Sequence, residues 1–253
     1  MKVLLFGKAL KPIEPLVKKL GLEIVRENPD VIISYGGDGT LLSAEREFPG
    51  IPKLPLRNSQ ICNKCAQHGD EVMLKKLLNN SLKLESYQKL ETTFLYKSFF
   101  ALNDFVIRNS DPTHSIRFNV GNKYFITKVT NLFIGDGIVI ATHFGSTGYF
   151  KSITGKSFER GLPAARLPDG QGRQGFGLAF NNTTEKVPPV FLNDQDKVTF
   201  NLARGKATLS FDNSPDIFNI DEESELVFKL SDQVAKIYEP DSLRCPTCQI
   251  ITS

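Results

Sequence analysis

The spacing of apolar residues divides the chain into two parts. Up to about residue 95, short apolar runs alternate with segments whose apolar residues recur at helical spacing. Strands are predicted at 2–6, 22–25 and 31–35, and helices at 13–20, 41–48 and 70–78. Alternating strands and helices are typical of an open, mostly parallel sheet, so an α/β domain is predicted at 1–97.

After about residue 95, strand-like runs follow one another at short spacing and are separated by turn residues. These predicted strands lie at 99–107, 115–120, 123–129, 132–134, 138–142, 187–192, 197–202, 207–211 and 225–229. Segment 161–177 is rich in Gly, Arg, Pro and Gln and is predicted to be a loop. This pattern predicts a second, β-rich and sandwich-like domain at 98–238.

Composition and charge narrow the possible functions. The chain has 253 residues, 40% of them hydrophobic and 23% charged, so it has room for two folded domains. Its net charge of +3 is too small to indicate a nucleic-acid or membrane partner. No apolar run approaches the about 20 residues that span a bilayer, and the N-terminus resembles a strand rather than a signal peptide. A cytoplasmic location is therefore expected.

The sequence GGDGT stands where a predicted strand ends and a helix begins. Glycines at such a point let a ligand approach the backbone, and successive N–H groups there form an anion site, so Gly36, Gly37, Gly39 and Thr40 are predicted to bind phosphate. Asp38 is repelled by phosphate unless it accepts a proton from an attacking hydroxyl or helps to hold Mg²⁺. The alternative is a plain glycine-rich turn in which Asp38 is the helix N-cap.

Three blocks in this sequence resemble the NAD kinase family. GGDGT at 36–40 is shared with lipid kinases and phosphofructokinases, but the pair Asn103-Asp104 and the segment GDGIVIATHFGSTGY at 135–149 follow at the spacing of NAD kinases. The lipid kinases have an Asn-Glu pair almost directly after the first block, and that pair is missing here. The segment Phe211-Asp212-Asn213-Ser214 also resembles the Asp-Gly-Gln turn of the NAD kinase family.

The resemblance implies transfer of a phosphoryl group from ATP, or from another donor such as polyphosphate, to the 2′-hydroxyl of the adenosine ribose of NAD. Mg²⁺ is implied as the partner of ATP, and Asp38 as the group that accepts or orients the hydroxyl proton. Some NAD contacts cross between subunits in the family, so a homodimer or homotetramer is implied. The NAD-binding residues implied by the match are Asn58, Asn103, Asp104, Asp136, Thr147, Tyr149 and Ser152.

One stretch departs from the family pattern. Where the family has Gly-Ile-Asn followed by a glycine-rich turn, this chain has Leu56-Arg57-Asn58 and then a cysteine pair. His143 also replaces the usual proline after Thr142. A protein of this fold that binds NAD(P) without catalysis, having lost transfer through the altered loop at 56–65, is the main alternative function. A lipid kinase of the diacylglycerol type is the other alternative.

All four cysteines occur in two Cys-x-x-Cys pairs, Cys62 with Cys65 and Cys245 with Cys248. This spacing lets both sulfurs of a pair reach one metal ion, so a structural zinc site with four cysteine ligands is predicted. The resemblance implies that the C-terminal tail, 239–253, returns to the first domain, where the two pairs would meet. Free thiols or redox-sensitive disulfides are the alternatives.

Overall fold

A computed structural model describes residues 1–58, 69–121, 132–158, 175–222 and 224–238. The chain divides into two compact units. The first contains Met1–Tyr87 and the described residues from Val234, and the second contains Gln88–Gln233. The predicted return of the tail falls at 239–253, outside the described residues.

The first unit is an α/β structure. Its strands β1 to β4 form a parallel sheet in the order β2-β1-β3-β4, and the end of a late strand also pairs in parallel with β4, Ile237 opposite Lys53. All five residues of β3 are buried, as expected for a parallel strand covered on both faces. The elements are β1 Lys2–Phe6, α1 Glu14–Lys19, β2 Glu23–Ile24, β3 Val31–Tyr35, α2 Asp38–Glu47, β4 Lys53–Leu56 and α3 Asp70–Leu78.

The second unit is built mainly from antiparallel strands. β5, which begins before the boundary between the units, and β16, which continues past it, also belong to its sheets. The strands are β5 Leu84–Phe94, β6 Lys97–Ala101, β7 Asp104–Asn109, β8 Ile116–Gly121, β9 Leu132–Gly135, β10 Gly137–Thr142, β11 Phe176–Asn181, β12 Val190–Leu192, β13 Lys197–Arg204, β14 Ala207–Phe211, β15 Phe218–Ile220 and β16 Glu225–Tyr238. A 3-10 helix, Phe144–Thr147, and helix α4, Tyr149–Thr154, follow β10.

Two sheets face each other in this unit. One has the order β12-β11-β10-β7-β14-β15, and the other contains the antiparallel run β16-β13-β8-β9 and the β5–β6 hairpin. Aromatic residues fill the space between them: Phe105 packs on Phe228 with ring centroids 5.4 Å apart, and Phe118 on Phe180 at 6.4 Å. The predicted fold class, an α/β domain followed by a β-rich sandwich, is confirmed.

Several boundaries differ from those that the pattern predicts. Run 99–107 forms two strands, because the chain turns at Leu102 and Asn103. The last strand, predicted at 225–229, continues to Tyr238. The predicted loop at 161–177 lies mostly outside the described residues, and its last two residues, Phe176 and Gly177, begin β11.

A buried ion pair joins the end of α2 to the start of β4. Lys53 is fully buried and donates to the carboxylate of Glu45, whose side chain is 3% exposed, and to the carbonyl oxygen of Phe48 at 2.5 Å. Glu45 Oε1 also accepts the N–H of Gly50 at 3.3 Å. The pair therefore fixes the loop between the two elements.

We expect Lys53→Met to lower the free energy of unfolding by about 3–5 kcal/mol, because it leaves the Glu45 carboxylate buried without its cation. Urea unfolding of the whole protein measures this loss. The control is Lys18→Met, which breaks the exposed pair between Lys18 and Glu14, 2.7 Å apart, and should cost less than about 1 kcal/mol. Equal losses in the two variants would contradict a special role for the buried pair.

Candidate functional site

In the first unit, the predicted phosphate-binding residues lie at the edge where the parallel strands end. Gly36 follows β3, and its N–H donates to the carbonyl oxygen of Leu56 at the end of β4, at 2.9 Å. The N–H of Asn58 donates in turn to the carbonyl oxygen of Gly36 at 3.4 Å. Asn58 is exposed at this edge. Ligands of open α/β sheets bind at this edge.

Two glycines at this edge lie so close to other parts of the chain that a Cβ atom on either would collide. Gly7, which follows β1, has φ +151°, and a Cβ atom on it would lie 2.3 Å from the carbonyl oxygen of Tyr35. A Cβ atom on Gly36 would lie 2.1 Å from Thr40 Oγ1. Gly7 was not predicted as part of the site, although a glycine directly after the first strand was a signal that could have indicated it.

Gly37 differs from these two glycines. It is the N-cap of α2, with an ordinary extended backbone, and a Cβ atom on it would meet nothing within 4 Å. The folded chain therefore does not require a glycine at Gly37, and the space in front of it is open. The close approach of a ligand is a physical reason for a glycine at such a position.

Asp38 is exposed and is the first residue of α2, with Gly39 and Thr40 completing the first turn. The alternative in which Asp38 is the N-cap is wrong, because Gly37 occupies that position and no side chain caps the helix. A carboxylate in the first turn is stabilised by the positive end of the helix. Its oxygens point to no hydrogen-bond donor among the described residues, so they are open to a ligand.

In the second unit, Asn103 and Asp104 lie in a turn held by one carboxylate. Asp212 accepts the N–H groups of Leu102 at 2.6 Å, Asn103 at 2.7 Å and Asp104 at 3.4 Å. Asp212 is buried at the end of β14. Its turn resembles the Asp-Gly-Gln turn of the NAD kinase family, but Asp212 was not among the predicted site residues.

The same turn is fixed from its other side by Thr142. Its Oγ1 donates to the carbonyl oxygen of Leu102 at 2.5 Å and accepts the N–H of Gly145 at 3.0 Å. A Cβ atom on Gly145 would lie 2.2 Å from the carbonyl oxygen of Asn103, so only glycine fits there. The turn after β10 and the turn before β7 are therefore in close contact.

The carboxylates of Asp104 and Asp212 both have raised pKa values. Burial, and then the charge of Asp212, raises the pKa of Asp104 to about 7. Burial raises the pKa of Asp212 to about 6, against the opposing effects of its three backbone hydrogen bonds and of Lys89. Next to them, Asn103 Oδ1 is buried and has no hydrogen-bond partner in the described structure. This turn therefore offers a hydrogen-bond acceptor and a carboxylate that is partly protonated near neutral pH.

The remaining predicted NAD-binding residues lie along β10 and the helices that follow it. Asp136 accepts the side-chain amide of Asn182 at 3.1 Å, and its N–H donates to the carbonyl oxygen of Asn181 at 3.0 Å. Asn181 also donates to the hydroxyl of Tyr149 at 3.2 Å, so Tyr149 and Asp136 share this neighbour. Thr147 is exposed, and the hydroxyl of Ser152, also exposed, donates to the carbonyl oxygen of Tyr149 at 2.7 Å.

These residues form two groups within the unit. Asp104 pairs with Ala141 near one end of β10, whereas Asp136 precedes Gly137 at its other end. Five residues at about 3.3 Å per residue separate the two positions by roughly 17 Å of strand. One chain therefore does not place Asp136 beside Asn103 and Asp104.

Cysteines 62, 65, 245 and 248 lie outside the described residues. Within the described ranges, no group of three or more His, Cys, Asp or Glu side chains is placed to hold a metal ion. His143 Nδ1 lies 2.9 Å from the carbonyl oxygen of Phe158 and so has a structural contact. No helix in the described part of the chain is long and apolar enough to cross a membrane.

We expect Asp104→Asn to raise the free energy of unfolding at pH 8 and to have less effect at pH 4. The pKa of Asp104 is about 7 in the folded protein and 3.8 in the unfolded chain, so between these pH values only the folded protein keeps the proton. The stability that the neutral form contributes is therefore present below pH 4 and is lost as the pH rises through 7. The amide cannot ionise, so urea unfolding at pH 4, 6 and 8 should show a growing difference from the unmodified protein.

Asp111→Asn is the control for that series. Hydrogen bonds from Thr113, and then from His114, lower the pKa of Asp111 to about 2, so this group is ionised in both states above about pH 5. Its effect should be constant between pH 6 and 8. An effect of Asp104→Asn that is independent of pH would contradict the prediction.

No family model matches the chain. Among curated proteins, the chain is 27% identical over 246 residues to an NAD kinase 2 of Bacillus cereus. The aligned region covers 90% of this chain and 85% of the relative. It is 30% identical over 159 residues to an NAD kinase of Limosilactobacillus reuteri, over 58% of this chain and 57% of the relative.

Solved structures show the same fold. An NAD kinase from Archaeoglobus fulgidus in complex with ATP superposes with a TM-score of 0.75 at 20% identity, covering 99% of this chain and 98% of that one. A yeast NADH kinase complexed with NADH has a TM-score of 0.74 at 13% identity, covering 99% of this chain and 86% of that one. Together with the order of the three sequence blocks, the curated relatives support an assignment of the chain to the NAD kinase family, and the solved structures show that it shares their fold.

Proposed function

We propose that this protein phosphorylates the 2′-hydroxyl of the adenosine ribose of NAD to give NADP, with ATP or another donor such as polyphosphate. The observation that carries the proposal is the open sheet edge at GGDGT, where Asp38 is exposed beside a glycine that the folded chain itself does not require. The curated relatives with the same blocks are NAD kinases.

Asp38 has the position and chemistry of the group that accepts or orients the proton of the attacking hydroxyl. Its carboxylate is exposed at the start of α2, beside the backbone of Gly37, Gly39 and Thr40, which we assign to the phosphates. Phosphoryl transfer depends mainly on positioning and on neutralising charge, so a fixed backbone edge suits it. Mg²⁺ bound with the donor phosphates would supply positive charge, and the Asp38 carboxylate is an oxygen ligand of the type it prefers.

Asn103 and Asp104 have the chemistry to hold the NAD ribose. The Oδ1 atom of Asn103 is a buried acceptor with no partner in the described structure, and a sugar hydroxyl would donate to it. Asp104 would accept a second hydroxyl, and such hydrogen bonds favour its ionised form and lower its raised pKa. Both groups are held by Asp212, which makes Asp212 a positioning residue in this proposal.

A homodimer or homotetramer also belongs to this proposal. Asp136 and Tyr149 are the second group of predicted NAD-binding residues, at the end of β10 away from Asp104. A second copy of the chain would let this group complete a site that one chain does not assemble. Of the remaining predicted contacts, Asn58 lies on the phosphate side and Thr147 and Ser152 follow β10. A cytoplasmic location remains part of the proposal.

We expect Asp38→Asn to retain NAD binding and to lower the rate of NADP formation by about 10²–10⁴-fold, because the amide cannot accept the proton. Turnover is measured with NAD, ATP and Mg²⁺, and with polyphosphate as a second donor. The matched control is Glu47→Gln, which neutralises an exposed acid at the other end of α2 and should leave the rate unchanged.

An unchanged rate in Asp38→Asn would exclude Asp38 as the base. Bound NAD with no NADP formed by the unmodified protein, from either donor, would instead favour the regulator that binds NAD(P) without catalysis. The altered segment at 56–65 would then be the place where transfer was lost. Phosphorylation of diacylglycerol in place of NAD would favour the lipid kinase.

We further propose that Cys62, Cys65, Cys245 and Cys248 hold one structural zinc ion. Metal analysis of the purified protein should find about one zinc per chain, and Cys245→Ser should lower both the zinc content and the melting temperature. Four titratable thiols without zinc in the unmodified protein would indicate free cysteines. Fewer than four thiols after denaturation without reductant would indicate disulfides, and either result contradicts the zinc site.

A further inference from the structure

A cavity of about 520 Å³ in the second unit is rich in positive charge. Its lining includes Arg117 of β8, Arg204 at the end of β13 and Lys206, which precedes β14. All three side chains belong to exposed residues. No residue of the predicted catalytic, phosphate or NAD site lines this cavity.

Two of these cations face each other across neighbouring strands. Arg204 pairs with Arg117, and the pairing register shifts between Leu202 and Arg204. A bulge of this kind changes the direction of a side chain, and like charges directly opposite each other destabilise a sheet. The irregular pairing therefore places two like charges on neighbouring strands at a cost in the free protein, and an anion bound near both would reduce that cost.

The turn that carries Lys206 is also fixed in place. Gly205 has φ +107°, and a Cβ atom on it would lie 3.0 Å from Ile116 Cγ2, so this position favours glycine. The carbonyl oxygen of Lys206 accepts the N–H of Ser110 at 2.9 Å. The third cation thus belongs to a turn tied by its backbone to the other wall of the cavity.

The nearby carboxylates are bonded to other groups. In the cavity wall, Asp111 Oδ1 accepts the N–H of Thr113 at 2.9 Å, and its Oδ2 lies 2.8 Å from His114 Nδ1. Glu222, outside the lining, accepts the N–H of Gly205 at 3.0 Å. Within the described ranges, none of the three cations forms an ion pair with these or other acids.

We propose that this cavity binds a short chain of phosphate groups, as in inorganic tripolyphosphate or the triphosphate tail of a nucleotide. Guanidinium groups bind phosphate oxygens with two parallel hydrogen bonds, and lysine adds a compact charge. Three cations in one cavity suit several linked phosphates better than one. The described lining has no aromatic side chain other than His114, so recognition rests on the phosphates. Its lining includes no residue of GGDGT, and the proposal does not depend on the proposed kinase activity.

The test is a calorimetric titration of the full-length protein with tripolyphosphate in buffer without Mg²⁺. The variant combines Arg117→Gln with Arg204→Gln, and its charge-matched control combines Lys97→Gln with Lys236→Gln, both exposed and both outside the cavity. We expect the double arginine variant to bind one fewer tripolyphosphate per chain, or to weaken that binding about tenfold or more, since it loses charge-assisted hydrogen bonds. Binding at the GGDGT edge is common to all three proteins and cancels in the comparison.

Other results would overturn the proposal. One is that the double arginine variant binds tripolyphosphate as well as the unmodified protein does. The other is that the lysine control loses as much binding as the arginine variant, which would indicate general attraction between charges. The melting temperature distinguishes misfolding from lost binding, because relief of the repulsion between the arginines should keep it equal or raise it. A parallel titration with ATP distinguishes the two sources: equal affinity indicates the phosphate chain alone, and tighter binding that the variant abolishes indicates a nucleotide.

Discussion

The contact on which the site in the second unit depends is the buried carboxylate of Asp212 with three consecutive backbone N–H groups. A buried charge is unfavourable unless hydrogen bonds satisfy it, and here the donors belong to the turn that carries Asn103 and Asp104. The cost of burial is visible in the raised pKa values of both acids. The positions of the two predicted ribose-binding residues are therefore linked to the charge of a residue more than a hundred positions later in the chain.

The edge in the first unit is built in a different way. There the positions come from close packing: a Cβ atom on Gly7 would collide with the backbone of Tyr35, and one on Gly36 with the side chain of Thr40. Parallel strands bring β1, β3 and β4 to one edge, and the start of α2 adds its N–H groups and its dipole. Asp38 is held by its place in the helix rather than by side-chain contacts, which leaves its carboxylate open.

The sequence pattern predicted strand β3, helix α3 and the change to a β-rich second part, because their apolar residues follow one period without interruption. It did not predict β5, in which polar residues such as Glu85, Gln88 and Lys89 interrupt the alternation. The predicted strand at 99–107 ran over the turn at Leu102 and Asn103, although Asn and Asp are residue types common in turns. The hydrogen bonds from that turn to the distant Asp212 were not predicted. Gly7 and the Arg117–Arg204 pairing also depend on neighbours in space, which spacing along the chain does not reveal.

The free protein keeps several unfavourable features in the turn at Asn103. A buried acceptor without a partner costs about 1–3 kcal/mol, and this describes Asn103 Oδ1. The charge of Asp104 is likewise disfavoured by burial and by Asp212. A hydrophobic turn would avoid both costs, so stability alone does not explain these residues. A ligand with two adjacent hydroxyl groups would satisfy the amide oxygen and the carboxylate together. Binding would then remove these unfavourable terms, and each 1.4 kcal/mol removed would tighten the dissociation constant about tenfold.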